Sequence, residues 1–233
     1  MTTPLVIDEK GLTDRPNNAE FQPQSAVLRG VARFISYLFH PLFIPVYVAW
    51  FLIQVQPFFF PPDPGRKLMV MVQFFVGYSF FPLVTILMAK ALGFLDSIYL
   101  KTQKERIIPY IACNIYYFWV CYVLRNQPEF SKEVIQFSMA VFIASSLGLL
   151  ANIYMKISMH AMSVGVVIVF VALLSLTQAA NYTLYLPLTL FIGGLVCTAR
   201  LIVSDHTQPE IYGGLLIGGA SQLLAVWADG ILP

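Results

Sequence analysis

Charged residues are scarce in this 233-residue chain. Only 11% of its residues are Asp, Glu, Lys or Arg, whereas 58% are hydrophobic. A soluble domain has about 25% charged and about 45–50% apolar residues. So few charges cannot cover a chain of this size with a water-compatible surface, and the composition therefore predicts an integral membrane protein.

Cysteine and histidine are also rare, with three residues of each. Cys113, Cys121 and Cys197 lie in apolar runs without the spacing of a metal site. We therefore expect buried thiols, with neither a disulfide framework nor a bound metal or cofactor. The net charge of +2, without a basic stripe, excludes a nucleic-acid partner. Nothing in the sequence indicates an oligomeric state.

Long apolar runs make up most of the chain instead. Seven can be counted, at roughly 35–56, 68–89, 107–125, 134–154, 161–178, 184–204 and 211–228. Each is close to the ~20 residues that a transmembrane helix needs. The sequence predicts an all-α polytopic transmembrane helix bundle of about seven spans. A polar N-terminal arm (1–33) precedes a single transmembrane domain (34–233), in which Gly214 and Gly218 form a G-x-x-x-G that favours close helix packing.

Three polar clusters interrupt the apolar pattern, at 101–109, 156–163 and 199–210. Two predicted spans separate the first cluster from the second, and two more separate the second from the third. An even number of crossings returns the chain to the same membrane face, so all three clusters are expected on one side. Ionisable groups are costly near a bilayer, and such a grouping favours a functional site.

Each cluster also has a structural interpretation. Cations that flank a span set its orientation in the membrane. An arginine at the end of a helix extends its apolar stem so that its charged group lies at the membrane interface. A His and a Glu four residues apart form a side-chain pair on one face of a helix. The residues concerned are Lys101, Lys104, Arg106, Arg200, His206 and Glu210. Lys156 flanks a span or assists at phosphate, and His160 fits a polar group at a helix start. His40, before Pro41, is expected to be structural.

The third cluster resembles a motif of the type 2 phosphatidic acid phosphatase and haloperoxidase superfamily. That motif reads Ser-Arg, five residues, His, three residues and Asp. It is similar to Ala199-Arg200, then His206, then Glu210 in this chain. Glu replaces the family's Asp and lengthens the arm of the carboxylate, and Ala199 removes a hydroxyl donor.

The other two clusters resemble the remaining motifs of the same family, in the same order. Pro-Ser-Gly-His is similar to the segment from Ile157 to His160, in which Met159 replaces the glycine and crowds the approach to phosphate. A Lys/Arg motif that ends in Arg-Pro is similar to the cluster of Lys101, Lys104 and Arg106, with Pro109 two residues late. The resemblance covers roughly residues 95–225.

The resemblance implies a six-helix phosphatase-like core plus one span, and a metal-independent phosphomonoesterase with a phosphohistidine intermediate. His206 would attack phosphorus, Glu210 would orient its ring, and His160 would serve as general acid and then base. Phosphate would be bound by Arg200, Lys101, Lys104, Arg106 and Ser158. The apolar body favours a lipid phosphate monoester or a polyprenyl (pyro)phosphate as substrate, within the bilayer of a bacterial inner (plasma) membrane.

Two other interpretations stay open. A catalytically eroded protein of the same fold would use these cations to bind or move anionic lipids. A haem-binding pair of spans would use two of His40, His160 and His206. The side of the membrane is also open, because ten Lys and Arg residues fall on the motif side and four on the other, but five against four once the five candidate site cations are set aside.

Overall fold

Helices make up nearly all of the structure. The computed structural model describes residues 6–8, 11–13, 25–98, 100, 102–179, 181–203 and 206–231. The α-helices are α1 (Ala26–Leu38), α2 (Ile44–Val55), α3 (Pro64–Phe75), α4 (Phe81–Ala91), α5 (Gln103–Arg125), α6 (Lys132–Ala151), α7 (Met159–Thr177), α8 (Tyr185–Val203) and α9 (Gln208–Asp229). A 3-10 turn covers Pro57–Phe59 and a π-helical segment covers Val76–Phe80. In the N-terminal arm, β1 (Val6–Asp8) pairs antiparallel with β2 (Gly11–Thr13).

Six helical stretches among the described residues are long and apolar enough to cross a membrane. They are Pro64–Ala91, which joins α3, the π segment and α4, and each of α5, α6, α7, α8 and α9. The structure is therefore a helical bundle of the kind expected of an integral membrane protein. Helices α5 and α6 lie between the first and second polar clusters, and α7 and α8 lie between the second and third. An even number of candidate spans therefore separates the clusters, as predicted.

The first expected span, 35–56, is divided into two shorter helices. Helix α1 ends at Leu38, and α2 has only 12 residues, which is about 18 Å at ~1.5 Å per residue. This is shorter than the ~30 Å hydrocarbon core of a bilayer. Pro41 accounts for the break, because the residue before a proline is disfavoured in the helical conformation and proline lacks an amide donor. The described structure thus has six candidate spans and one shorter apolar helix.

Helix α1 is amphipathic and begins inside the expected polar arm. Its buried residues, Ala32 and Ser36, face α8. Val31 and Phe34 are exposed on another side, and Arg33 is also exposed. An exposed apolar stripe beside basic residues is typical of a helix that lies in the membrane interface.

The π-helical segment links the first spanning stretch to the break between α1 and α2. Proline at position 82 has no amide to donate, which favours the local change from α to π hydrogen bonding. The Ser79 hydroxyl, within this segment, donates to the Leu42 carbonyl oxygen at 2.7 Å. The chain between α1 and α2 is therefore held against the bundle.

Glycines let α7 and α9 approach until their backbones touch. A Cβ atom added at Gly214 would lie 2.7 Å from the carbonyl oxygen of Ser158, and one added at Gly218 would overlap the carbonyl of Met162. On α7, a Cβ at Gly165 would overlap the carbonyl of Leu215. The predicted role of the G-x-x-x-G in close helix packing is confirmed.

We expect Gly218→Ala to lower the apparent melting temperature in detergent, because the new methyl group pushes α7 from α9. Forced overpacking costs about 1–3 kcal/mol. Gly194→Ala is the matched control, since its Cβ meets no atom within 4 Å. It should change the unfolding free energy by less than about 0.5 kcal/mol. Equal melting of the two variants would contradict this account of the α7–α9 contact.

Candidate active site

Residues from all three polar clusters meet at one end of the bundle. Arg106 lies in the first turn of α5, Ser158 caps α7, and Glu210 lies in the first turn of α9. Arg200 lies in the last turn of α8 and His206 just before α9. Three helices thus point their N-termini to this end. The partial positive charge of a helix N-terminus favours an anion there.

His206 and Glu210 form a buried pair at the centre of this cluster. The Nδ1 atom of His206 lies 3.1 Å from Oε2 of Glu210, and the two side chains are 3% and 2% exposed. The same oxygen accepts the backbone N–H of Thr207 at 2.9 Å. Glu210 therefore caps the start of α9 and orients the imidazole with a single carboxylate oxygen.

Arg106 lies on the other side of the same ring. Its Nη2 atom is 3.4 Å from Nε2 of His206, while its Nη1 and Nε donate to the carbonyl oxygens of Ile157 (2.7 Å) and Leu100 (3.0 Å). A guanidinium donates hydrogen bonds and cannot accept them. Nε2 of His206 must therefore be the accepting nitrogen, which assigns the ring proton to Nδ1 and directs it to Glu210. The lone pair of Nε2 consequently points towards the cations.

The Leu100 carbonyl that accepts from Arg106 lies in the loop before α5, where the backbone has a strained conformation. Leu100 is a buried non-glycine residue with a φ of 49°. This left-handed region is unfavourable for a branched side chain and persists only where surrounding contacts impose it. Here the hydrogen bond from Arg106 to the Leu100 carbonyl provides such a contact.

Ser158 joins α7 to α9 within the cluster. Its backbone N–H donates to the Glu210 carbonyl oxygen at 3.1 Å, and its Oγ accepts the N–H of Ala161 at 3.4 Å as the N-cap of α7. The side chain is fully buried. These contacts give Ser158 a structural role, and its proposed donation to phosphate stays a prediction.

His160 belongs to the same end of the bundle but contacts a different part of the chain. Its Nε2 lies 3.0 Å from the carbonyl oxygen of Ser36, to which it must donate because a carbonyl only accepts. Its ring also meets the ring of His40 edge to face, with 5.4 Å between centroids. The charge of Arg200 acts on His40, His160 and His206 alike. Arg200 is therefore near enough to all three histidines for its charge to act on them.

The lysines of the candidate site do not all lie in the buried cluster around His206. Lys101 lies outside the described residues. Lys104 is exposed and stands two residues before Arg106, so it projects from nearly the opposite side of α5. The structure therefore does not place Lys104 beside the guanidinium of Arg106. Lys156 is partly buried and lies near enough to Glu210 for their charges to interact.

Two departures from the family motifs are Ala199, which is buried, and Met159, which is partly buried. Ala199 is 2% exposed. Met159, which was expected to crowd the approach to phosphate, packs against the apolar cluster of Ala89, Leu95 and Leu100. The Met159 side chain, which is longer than the family's glycine, thus fills space against Leu100.

His40 is the residue that sequence reasoning placed outside the site. It has no counterpart in the family motifs, and a single histidine in an apolar run is more often structural. The available signal was its position before Pro41, which interrupts an otherwise long apolar run. A polar residue at a helix break in a membrane protein commonly faces the protein interior or a cavity.

Burial and nearby cations favour the neutral form of His206. Desolvation lowers its pKa from 6.5 to about 4; the hydrogen bond to Glu210 opposes this shift, whereas the charges of Arg106 and Arg200 add to it. Burial, with a further contribution from Arg200, likewise lowers the pKa of His40 to about 4. Both rings are therefore uncharged at neutral pH, and Nε2 of His206 keeps its lone pair.

No protein-family model, curated protein or solved structure matches this chain. Among the described residues, no group of three or more His, Cys, Asp or Glu side chains has the arrangement of a metal site.

We expect the protein to lose stability in acid because His40 and His206 resist protonation in the fold. Their folded pKa of about 4 lies below the ordinary 6.5. As the pH falls from about 6.5 through about 4, the unfolded chain binds protons that the folded chain does not, so the free energy of unfolding falls. Melting temperatures in detergent across this range should drop less steeply for His40→Gln with His206→Gln than for the wild type. Parallel curves for the two proteins would contradict the buried neutral state.

Proposed function

We propose that this protein is a membrane phosphatase that hydrolyses a lipid phosphate monoester or polyprenyl (pyro)phosphate through a phosphohistidine. The observation that carries the proposal is the arrangement around His206, with Glu210 on one ring nitrogen and Arg106 at the other. A nucleophilic histidine needs one nitrogen deprotonated and aimed at the substrate, and a partner that stabilises the charge developing on the ring. The resemblance to the type 2 phosphatidic acid phosphatase superfamily supports the same assignment.

In the first half-reaction, the Nη2–H of Arg106 turns from Nε2 of His206 to a phosphoryl oxygen, Nε2 attacks phosphorus, and the bond to the departing alkoxide breaks. Glu210 accepts the Nδ1 proton in a hydrogen bond and stabilises the positively charged ring. His160, protonated on both ring nitrogens, gives its Nδ1 proton to the alkoxide. Because Nε2 of His160 donates to the Ser36 carbonyl, Nδ1 is the nitrogen available for that transfer.

In the second half-reaction, water attacks the phosphohistidine and the phosphorus–nitrogen bond breaks. His160, now neutral, takes the proton from the water, and His206 returns to its starting form. Arg106 and Arg200 neutralise the phosphoryl oxygens, because the planar guanidinium binds two oxygens at once. Lys101 and Ser158 remain candidates for further phosphate contacts, whereas Lys104 projects from nearly the opposite side of α5. Transfer of a phosphoryl group depends mainly on positioning and charge stabilisation, which this cluster provides without a metal.

A substrate borne by a lipid suits the position of the cluster. It lies at the ends of α5, α7, α8 and α9, which are long and apolar enough to span a membrane, and a lipid headgroup would meet it there. The amphipathic α1 lies beside it, since Ser36 of that helix contacts His160. Phosphatidate, phosphatidylglycerol phosphate and polyprenyl phosphates or pyrophosphates have this form, and a bacterial inner membrane is the proposed location.

The test is release of phosphate from these lipids in detergent with a metal chelator present. We expect chelator-resistant turnover that falls by at least ~10²-fold in His206→Ala and in His160→Ala, as is usual for a lost nucleophile or general acid. A phosphoprotein trapped from the wild type should be labile in acid and stable in base, and absent from His206→Ala. Undiminished turnover in His206→Ala excludes this residue as nucleophile.

We expect Glu210→Gln to lower turnover more than its effect on stability explains. Loss of the acid in a Ser-His-Asp triad, with the geometry kept, reduces turnover by about 10⁴-fold, and a loss of similar kind is expected here. Glu105→Gln is the matched control, because Glu105 also accepts its N-cap amide, from Thr102 at 3.2 Å, but orients no histidine. Both variants should melt lower than the wild type. Equal turnover in the two would show that Glu210 serves only as a cap.

A second candidate function is the binding of anionic lipids without turnover. It is favoured by the structural use of Arg106, which already donates to the Ile157 and Leu100 carbonyls. In the same experiments this function appears as saturable binding of lipid phosphates with no release of phosphate from any of them. His206→Ala would then leave the binding unchanged, whereas Arg200→Ala would weaken it.

A further inference from the structure

The general acid of the proposed mechanism is held by a segment outside all three motif clusters. We call residues 36–43, between the last turn of α1 and the start of α2, the α1–α2 corner. Ser36 of this corner accepts the hydrogen bond from Nε2 of His160 at 3.0 Å. His40 of the same corner places its ring against that of His160, 5.4 Å between centroids and 81° between planes. One hydrogen bond and one ring contact therefore fix the imidazole of His160.

The ring of His40 is itself held in place. Its Nδ1 accepts the backbone N–H of Leu42 at 3.4 Å, which assigns the ring proton to Nε2. Phe43 packs edge to face on it, with 6.2 Å between centroids. The Leu42 carbonyl accepts the hydroxyl of Ser79 from the π-helical segment at 2.7 Å. The corner is thus fixed to the bundle at the residue that orients His40.

A role for His40 as a phosphate-binding cation does not fit these surroundings. The charged groups that face it are Arg200 from α8 and, when protonated, His160 from α7. Burial and the Arg200 charge disfavour a second cation, and the ring is neutral at neutral pH. His40 offers a neutral ring that packs edge to face against the ring of His160.

We propose that His40 is a positioning residue for His160, which it holds through the ring contact in the orientation needed to protonate the leaving group. This inference rests on the proposed phosphatase function and adds the α1–α2 corner to the active site. A general acid must point its proton at the leaving oxygen within hydrogen-bond reach. Misplacement of a reacting group by about 1 Å can cost ~10²-fold in rate.

The test compares two substrates that differ in their need for an acid. One is a long-chain alkyl phosphate, whose alkoxide must be protonated as it leaves. The other is a nitrophenyl phosphate that bears an alkyl chain of the same length, whose phenolate leaves without a proton. Loss of general-acid function slows the first selectively, whereas a general disturbance of the fold slows both.

We expect His40→Ala to slow release of the alcohol from the alkyl ester in a single turnover by about 10-fold or more, and release of the nitrophenolate by less than about 3-fold. Only the departing alkoxide needs the acid, whereas the later attack of water is common to both esters. His160→Ala should show the same selectivity with a larger loss. His40→Phe, which keeps an aromatic ring in contact with His160, should recover most of the rate on the alkyl ester. The double variant His40→Ala with His160→Ala should be no slower than His160→Ala alone, since the two act as a unit.

Tyr47→Phe is the matched control for the corner. The Tyr47 hydroxyl donates to the Leu38 carbonyl at 3.1 Å, so its loss loosens the same segment without touching a histidine. It should leave the ratio of the two rates unchanged. Equal slowing of both esters by His40→Ala overturns the inference, and so does a His40→Phe variant as slow as His40→Ala on the alkyl ester. If the wild type hydrolyses neither ester, the proposed function fails; if it hydrolyses both and His40→Ala matches it, only this inference fails.

Discussion

The hydrogen bonds of His206 connect the chemistry of the site to the packing of the bundle. A polar group buried in a membrane protein must be paired within the protein, because an unpaired one costs several kcal/mol. Glu210 meets this demand for Nδ1 of His206 and for the N–H of Thr207 at the N-cap of α9, and Arg106 meets it for Nε2. Arg106 in turn holds the Ile157 carbonyl, next to the cap of α7. The start of α5, α7 and α9 are therefore joined through one imidazole, and the same contacts determine which of its nitrogens carries a lone pair.

This network requires α7 and α9 to lie unusually close together. The N–H of Ser158 reaches the Glu210 carbonyl only because Gly214, one turn along α9, has no side chain to keep the backbones apart. Without a hydrophobic driving force between helices in lipid, such backbone contact supplies much of the packing energy. The glycines thus contribute to the site although none of them has a reactive group.

Electrostatics gives the site its preference for anions. Two guanidinium groups, Arg106 and Arg200, act on His206, which burial keeps neutral, at an end where three helices begin. Glu210 offsets part of this charge, but its oxygen is already bonded to two donors. Under the proposed function, an arriving phosphate would meet donors and the positive ends of helices. The surrounding apolar surface would allow the rest of a lipid to stay in the bilayer.

The sequence by itself determined the membrane class, the helical architecture and the convergence of the polar clusters. These follow from the length that a bilayer imposes on each apolar run and from the even number of crossings between clusters. It could not reveal the division of the first span, since the effect of Pro41 depends on whether neighbouring helices satisfy the freed backbone groups. Nor could it separate Lys104, which projects away, from Arg106, or join His40 to His160 across 120 positions of sequence. Side-chain direction and contacts between distant segments decide those points, and only the packed tertiary structure contains them.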